Sequence, residues 1–427
     1  MIERLGPGDR VALTLPGSRK YVDVIVSLLV RGIVPIPLDP KLTAVERSGI
    51  LADLEPARVV ARHEDLLDLD LGWEPGQIPL ARPMHVTSGT TGRPKGVWSG
   101  VLEPDDARAL FAEEVDLWQF SDSDLNLVIS PLHHSAPLRF AIGTLLRGGQ
   151  LTGFDPTGQQ TGFNAEQITY VINTDRPTTA FCVPTHLQRL FAHWDVHGIP
   201  DLSSFRLLAH AGAPCPEPIK KRLLTTFPSG STWEFYGSTE GQFTACRSEE
   251  WLQHPGTVGR ARPGRTLRVD ESGQIWCTVP GHARFEYFNA PEKTRAAWQG
   301  AEFTVGDLGR LDANGYLYLD GRREDLIITG GVNVYPAEVE QVLLQLPGVE
   351  EVAVYGVPHE EWGQSVAAAV VGSATVTELQ DWASTRLAPP KRPKAWQLMD
   401  SLPHTSTGKI RRRELGPQPA PGFPENH

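Results

Sequence analysis

A run of small, hydroxyl-bearing and basic residues at positions 86–96, VTSGTTGRPKG, has the composition of a loop that binds phosphate. Its glycines let backbone N–H groups approach an oxyanion closely, and its hydroxyls add further donors. Arg93 and Lys95 supply positive charge that can pair with phosphate oxygens. The loop is not a Walker A loop, because Lys95 is followed by glycine and not by serine or threonine. We predict a phosphate cradle that follows a short apolar segment.

The segments on both sides of this loop alternate between extended and helical patterns. Extended patterns lie at 11–16, 33–40, 57–61, 125–131, 178–184 and 205–212. Helical apolar spacing lies at 21–31, 44–56, 137–149 and 185–194. This alternation is typical of an α/β protein whose strands pair largely in parallel.

The pattern changes in the last third of the chain. Region 256–320 has short β-runs divided by turn residues, and Asn314-Gly315 predicts a hairpin. Beyond Arg322 the pattern indicates a small α+β lobe. We predict an N-terminal domain over 1–322, which includes an antiparallel β subdomain at about 256–320. A C-terminal lobe over 323–415 and a Pro-rich, disordered tail over 416–427 are predicted to follow.

Composition limits the class of protein. The 427 residues carry a net charge of −11, which disfavours a nucleic-acid partner. Four scattered cysteines are too few for a disulfide framework and have no CxxC spacing for a metal. The start of the chain lacks a signal-peptide pattern, and no segment approaches the ~20 apolar residues of a membrane span. We therefore expect a cytoplasmic protein that does not span a membrane.

The stretch TSGTTGRPKG (87–96) resembles the phosphate loop of the adenylate-forming superfamily, which comprises acyl-CoA synthetases, peptide-synthetase adenylation domains and beetle luciferases. The resemblance extends from about Leu5 to Leu415, and segments such as 211–216 and 288–294 are most similar to acyl- or aryl-CoA ligases. It implies an α/β fold in which a large N-terminal domain of α/β subdomains carries a small antiparallel β subdomain. A mobile α+β lobe follows that domain. The chain is shorter than such ligases, so we expect a compact member.

The family's adenine and magnesium motif is similar to EFYGSTE at 234–240. By this resemblance Tyr236 offers a flat face to adenine, Thr239 a hydroxyl to the α-phosphate, and Glu240 a hard oxygen ligand to Mg²⁺. The full set of predicted cofactor-binding residues is Thr87, Ser88, Gly89, Thr90, Thr91, Gly92, Lys95, Gly212, Ala213, Glu234, Phe235, Tyr236, Gly237, Ser238, Asp307, Arg322, Gly330 and Gly331.

The remaining roles also come from the resemblance. Asp307 matches the carboxylate that holds the ribose hydroxyls, and Arg322 matches an arginine that contacts ribose and phosphate. Glu324 stands at the hinge position, where the family more often has Asp or Lys. Lys409 matches the lysine that reaches the reacting carboxylate and the α-phosphate. The predicted catalytic residues are Lys409, Thr239, Glu240 and, at a gating position, His134.

The resemblance implies a two-step ligase that uses ATP, Mg²⁺ and coenzyme A. In the first step a carboxylic acid is activated to an acyl-AMP. In the second step the acyl group passes to the thiol of coenzyme A, with Gly330 and Gly331 lining the thiol's approach after the C-terminal lobe has rotated. The acyl pocket is expected at 132–137, 181–184, 210–213, 235–237 and 242–244. These positions carry no lysine or arginine, which favours a monocarboxylic aryl or medium-chain acid.

Other readings of the same motifs remain. The acceptor could be a carrier-protein thiol or an amine, or the enzyme could activate nitrite to diazotise an arylamine. A catalytically silent nucleotide-binding subunit is disfavoured, because Lys95, Glu240, Asp307, Arg322 and Lys409 are all retained. A hydrolase is disfavoured too, because Ser238 lacks the GxSxG spacing. The sequence does not indicate an oligomeric state.

Overall fold

The computed structural model describes residues 5–87, 95–160, 162–322, 325–329, 332–359, 362–404 and 410–415. The chain forms two compact units. The first comprises Met1–Arg268, Trp276–Val305 and Asp312–Leu317, and the second comprises Val269–Ile275, Gly306–Leu311 and Tyr318–His427. The domain limits predicted from the sequence, 1–322 and 323–415, stay a prediction. The predicted tail over 416–427 lies outside the described residues.

A small parallel sheet opens the first unit. It is built from β1 (Arg10–Leu13), α1 (Arg19–Leu29), β2 (Val34–Pro37), α2 (Ala44–Leu54) and β3 (Arg58–Val60), with β1 at its centre. Each helix begins at a hydroxyl residue: Ser18 accepts from the backbone N–H of Tyr21, and Thr43 accepts from that of Glu46. The strand and helix alternation predicted over 11–61 is confirmed.

Two short strands flank the glycine-rich loop. Strand β4 (Val86–Thr87) pairs antiparallel with β5 (Lys95–Trp98), so that Thr87 lies opposite Lys95. Residues 88–94 between them lie outside the described part of the chain. Helix α3 (Pro104–Trp118) follows, and its N-terminal turn carries Asp105 and Asp106, where acidic side chains favour the helix dipole.

A seven-stranded sheet runs through the first unit. Its elements are β6 (Leu125–Val128), α4 (Ser135–Leu146), β7 (Gln150–Thr152), α5 (Ala165–Asp175), β8 (Thr179–Cys182), α6 (Pro184–His197), β9 (Leu207–His210), α7 (Glu217–Thr226), β10 (Thr232–Glu234), β11 (Thr244–Arg247), α8 (Ser248–Gln253) and β12 (Arg260–Ala261). The strand order is β12-β11-β10-β9-β8-β6-β7, and the pairing is parallel from β7 to β10. Strands β8 and β9 are buried along their whole length, which suits parallel strands covered on both faces.

The predicted β region contains β13 (Thr266–Val269), β14 (Ile275–Thr278), β15 (Glu286–Tyr287), α9 (Pro291–Ala297), β16 (Trp298–Gln299), β17 (Glu302–Phe303), β18 (Asp307–Leu311) and β19 (Leu317–Arg322). The predicted hairpin is formed by β18 and β19, and Gly315 in its turn has φ +79°. One strand departs from the expected subdomain. Strand β15 pairs with β5, placing Tyr287 opposite Val97 beside the phosphate loop.

The second unit contains a mixed sheet and two helices. Its further elements are β20 (Ile327–Thr329), β21 (Val332–Val334), α10 (Pro336–Leu343), β22 (Val349–His359), β23 (Gly363–Gly372), α11 (Val376–Arg386) and β24 (Ala395–Leu398). Apolar residues of both helices, including Leu343 and Leu379, form one buried cluster with residues of β22 and β23. The α/β class and the small α+β lobe are confirmed. Among the described helices, none combines the length and the apolar character needed to cross a bilayer.

Candidate active site

A buried row of polar side chains supports the base of the EFYGSTE motif. His210 at the end of β9 lies opposite Glu234 of β10 in the sheet register. Lys220 of α7 is fully buried beside them, with its Nζ 2.9 Å from Nε2 of His210 and 3.0 Å from Oε2 of Glu234. Burial and the charge of Lys220 place the pKa of His210 well below its usual value. His210 is therefore neutral and acts as an acceptor for Lys220.

The next residues of the motif form a tight turn. Tyr236 is buried, and its ring stacks on that of Phe243 with a centroid separation of 4.8 Å. The backbone N–H of Ser238 donates to the carbonyl of Gly241 over 2.8 Å. A Cβ on Gly237 would lie only 2.7 Å from that same carbonyl oxygen, so only glycine fits there without displacement. The turn thus holds the predicted nucleotide-binding residues in one fixed backbone path.

Glu240 is the buried carboxylate at the end of this turn. It is 7% exposed, and the hydroxyl of Tyr287 donates to its Oε1 over 2.8 Å. Among the described residues, no group of three or more His, Cys, Asp or Glu side chains could hold a metal ion. Mg²⁺ needs no such cage, because it is commonly held by one or two carboxylates together with substrate phosphates. A single positioned carboxylate therefore fits the predicted metal.

Lys293 on α9 links this carboxylate to the edge of the phosphate loop. Its Nζ lies 4.1 Å from the ring centre of Tyr287. Burial lowers the pKa of Lys293, Glu240 opposes this effect, and the positive charge of Lys95 adds to it. Glu240 and Lys95 are therefore both close enough to Lys293 to change its pKa. Neither Tyr287 nor Lys293 was singled out from the sequence, where each stands outside a motif of nucleotide binding.

The phosphate loop is described only at its two ends. Thr87 Oγ1 lies 3.4 Å from the carbonyl of Lys95, and Lys95 Nζ lies 3.4 Å from an Oδ of Asp53. Ser88, Gly89, Thr90, Thr91 and Gly92 lie outside the described residues. The antiparallel β4–β5 pairing brings the ends of the loop together, as a cradle requires.

The other predicted residues of the first unit lie at the ends of strands and helices. His134 is the N-cap residue of α4, and its ring contacts that of His133 edge-on with centroids 4.0 Å apart. Gly212 follows β9 with φ +93°, and Ala213 comes directly after it. Phe235 belongs to a buried aromatic cluster with Phe181 and Trp118. Phe235 therefore packs the start of the EFYGSTE motif into the core.

Several predicted residues belong to the second unit or lie beyond the described chain. Asp307 begins β18 and is 9% exposed. Arg322 ends β19, and its side chain is not among those described. Gly330, Gly331, Glu324 and Lys409 lie outside the described residues. Their proposed roles stay predictions from the sequence.

All four cysteines are free. Cys182, Cys246 and Cys277 are buried, and Cys215 is partly buried. Burial raises the pKa of every one of these thiols, to about 12 for Cys246 and Cys277. The predicted absence of a disulfide framework agrees with these free thiols.

A partly enclosed space adjoins the motif within the first unit. Its volume is about 130 Å³, and Thr239, Glu240 and Gln242 form one side of it. His85, Ser135 and Arg139 contribute to its other sides. A small molecule held there would lie next to the groups predicted to act on the α-phosphate.

Comparison with known proteins gives a consistent result over both units. A family model described as AMP-binding enzyme matches residues 84–282, and a model described as AMP-binding enzyme C-terminal domain matches residues 338–409. The long-chain-fatty-acid–CoA ligase FadD13 of Mycobacterium tuberculosis is 32% identical over 97% of this chain and 89% of its own. Feruloyl-CoA synthase of Amycolatopsis sp. is 33% identical over 96% of this chain and 88% of its own.

Solved structures show the same likeness. The o-succinylbenzoate CoA synthetase MenE of Bacillus subtilis, in complex with its acyl-adenylate intermediate, matches with a TM-score of 0.82 and 26% identity. The match covers 97% of this chain and 89% of that chain. The fold expected from the motifs is thereby confirmed.

Proposed function

The chain belongs to the family of AMP-binding enzymes, and on this premise we propose that it is an ATP-dependent acid–thiol ligase. It would convert a carboxylic acid and ATP into an acyl-AMP and pyrophosphate. It would then transfer the acyl group to the thiol of coenzyme A and release AMP. The observation that carries this proposal is the buried Glu240 carboxylate, held by Tyr287 at one side of a partly enclosed space.

The first step joins two anions, so the site must neutralise charge and align the reactants. An oxygen of the acid attacks the α-phosphorus, and the bond from that phosphorus to pyrophosphate breaks. Mg²⁺ bound at Glu240 would supply positive charge to the phosphate oxygens. Lys95 and Lys293 would add charge on the phosphate side, and Lys409 would stabilise charge between the acid and the α-phosphate.

The second step needs a different arrangement at the same site. The thiol loses its proton and attacks the acyl carbonyl, and the bond to AMP breaks. By family resemblance, the C-terminal lobe would rotate, remove Lys409 and bring Gly330 and Gly331 to the thiol's path. Glycine at both positions would permit close approach of a narrow thiol arm.

Separate assays of the two half-reactions test this proposal. Acid-dependent exchange of labelled pyrophosphate into ATP reports the first step, and acyl-CoA formed from a supplied acyl-AMP reports the second. We expect Lys409→Ala to abolish the exchange while leaving the second step active. Lys391 is partly exposed and pairs with Glu338, and neither residue belongs to a predicted motif, so Lys391→Ala is the matched control.

Four outcomes would contradict the proposal or change its acceptor. Equal loss of both half-reactions in Lys409→Ala would remove its assigned role. Turnover with a phosphopantetheinylated carrier protein but not with coenzyme A would make the carrier the acceptor. AMP formation that depends on nitrite, with every carboxylic acid inactive, would replace acid activation altogether. Absence of exchange across a broad acid panel would leave only a silent nucleotide-binding subunit.

A further inference from the structure

Four arginines line the partly enclosed space beside Thr239 and Glu240. They are Arg82 before β4, Arg139 on α4, and Arg262 and Arg265 between β12 and β13. Only two of the predicted acyl-pocket residues, Ser135 and Gln242, belong to this lining. The chemistry of the space is therefore more cationic than the predicted lining indicated.

Two of the arginines are neutralised by helix α3. Arg262 Nη1 lies 2.9 Å from Oε1 of Glu114, and Arg265 Nη1 lies 2.6 Å from Oε2 of Glu113. Burial acts to raise the pKa of Glu114, but the charges of Arg139 and Arg262 outweigh it, and the pKa is lowered. Glu114 is thus held in its charged form, and each of the two carboxylates has an arginine partner. These pairs fix the wall of the space.

The other two arginines have no such partner. Arg82 Nη1 donates to Oγ of Ser99 at 3.2 Å, and Arg139 Nη2 donates to Oγ of Ser135 at 3.1 Å. Among the described residues, no carboxylate lies within 4.0 Å of either guanidinium, and Nη1 of Arg139 is buried without a hydrogen-bond partner. Counted by formal charge, the four arginines outnumber Glu113, Glu114 and Glu240 by one.

Such an arrangement is unfavourable without an anion. Burial lowers the pKa of Arg82 to about 10, and the neighbouring charge of Arg139 contributes to this. Burial lowers the pKa of Arg139 as well. Both groups remain charged at neutral pH, and a charge that is partly buried without a carboxylate partner is costly. An anionic group between them would remove that cost.

We propose that the activated acid carries a second anionic group, which Arg82 and Arg139 bind at the end of the molecule remote from the reacting carboxylate. This inference rests on the proposed function and names the substrate class of the same site. A guanidinium binds a carboxylate, a sulfonate or a phosphonate through paired N–H donors. A cavity of about 150 Å³ holds benzene, so a space of about 130 Å³ selects a short chain or a single ring.

Matched acids test the proposal directly. Each pair contains a short dianionic acid and its neutral-ended counterpart: a dicarboxylic acid with its monomethyl ester, and a phosphono or sulfo acid with the corresponding amide. The pyrophosphate-exchange assay gives kcat/KM for each compound. We expect the wild-type enzyme to favour one dianionic series about 10- to 100-fold, as charge-assisted hydrogen bonds would give. The favoured series identifies the anion.

Arg139→Gln then assigns the preference to the arginine. Its kcat/KM should fall about 10- to 100-fold for the favoured dianion, mainly through KM for the acid, and change by less than about twofold for the neutral-ended partner. Arg139→Lys should give an intermediate loss, because it keeps the charge and loses the planar fork. The matched control is Arg147→Gln, because Arg147 is exposed just beyond the end of the same helix.

The outcomes separate this inference from the proposed function. Exchange with neutral-ended acids alone would overturn the inference and leave the ligase intact. An equal loss for both members of a pair, or a rise in KM for ATP in place of the acid, would also overturn it. If no acid of either series supports exchange, the proposed function fails and the inference fails with it. Thermal unfolding of each variant shows whether Arg139→Gln folds, and Arg82→Gln repeats the test if it does not.

Discussion

Lys220 and Glu234 form an ion pair inside the first unit, with 3.0 Å between Nζ and Oε2 and side-chain exposures of 0% and 8%. A buried pair of this kind adds little stability by itself, but removal of one partner leaves an uncompensated charge. The pair joins α7 to the strand that precedes the EFYGSTE turn. It therefore supports the backbone on which the nucleotide-binding residues are mounted.

Lys220→Met should lower the free energy of unfolding by about 3–5 kcal/mol, because Glu234 would stay buried without its partner. The double variant Lys220→Met/Glu234→Gln should recover part of this loss. Urea denaturation measures both effects. The exposed neighbour provides the control: Lys221→Met should change stability by less than about 0.5 kcal/mol. Similar losses for Lys220→Met and Lys221→Met would refute the role of the buried pair.

Tyr287→Phe should weaken the response of the enzyme to Mg²⁺. The phenol donates to Oε1 of Glu240, and loss of a partner behind a metal ligand typically costs about 10- to 100-fold in metal affinity or activity. Titration of pyrophosphate exchange with Mg²⁺ measures the shift. Tyr170→Phe, at a residue that is 67% exposed, should leave the titration unchanged. An unshifted Mg²⁺ midpoint in Tyr287→Phe would rule out the positioning role.

Gly237→Ala should distort the turn that leads to Glu240. Its Cβ would lie 2.7 Å from the carbonyl oxygen of Gly241 and 2.9 Å from Cα of Gln242, and neither is a flexible side chain that could move aside. We expect a loss of about 1–3 kcal/mol in stability together with reduced pyrophosphate exchange. At Gly281 the space around an added Cβ is open, so Gly281→Ala should behave as wild type. Full activity of Gly237→Ala would show that the turn tolerates a different path.

Acid should destabilise the protein from about pH 6.5 downwards. Burial lowers the pKa of His85 to about 3, although its hydrogen bond with the carbonyl of His133 acts in the opposite direction. Burial also lowers the pKa of His210. Because the unfolded chain binds these protons near pH 6.5 and the folded chain does not, stability is complete above that pH and falls below it. Each histidine contributes a slope of about 1.4 kcal/mol per pH unit.

Urea denaturation between pH 7.5 and pH 5 measures this slope. His85→Gln removes one of the histidines whose pKa is lowered by burial, so its unfolding free energy should depend less steeply on pH. His197, which is exposed on α6, provides the control variant His197→Gln with an unchanged slope. A free energy of unfolding that stays constant down to pH 5 would contradict the prediction.

The order of motifs along the sequence predicted the family, the α/β class and most of the strand and helix positions. These features depend on local patterns. The segment at 44–56 has helical spacing, and the hydroxyl of the preceding Thr43 caps the helix. The Asn314-Gly315 hairpin was equally predictable, because its turn needs a positive φ that Gly315 supplies. Such information resides within a few consecutive residues.

The arginine-lined space was not predictable in this way. Arg82, Arg139 and the pair Arg262 and Arg265 come from three separate segments of the chain, and no short motif contains residues of any two of them. Their meeting depends on how α3 and α4 pack beside the EFYGSTE turn. Tyr287 is similar, because its contact with Glu240 depends on the pairing of β15 with β5. Tertiary packing, and not local pattern, determines these parts of the site.

The four buried or partly buried cysteines have a consequence for an enzyme that would produce reactive acyl groups. An activated acyl group reacts with any nearby thiolate, including those of the enzyme that made it. Burial keeps the four thiols protonated at neutral pH. Self-acylation at cysteine is thereby suppressed, and a thiolate that enters from solution meets no competitor among the protein's own sulfur atoms.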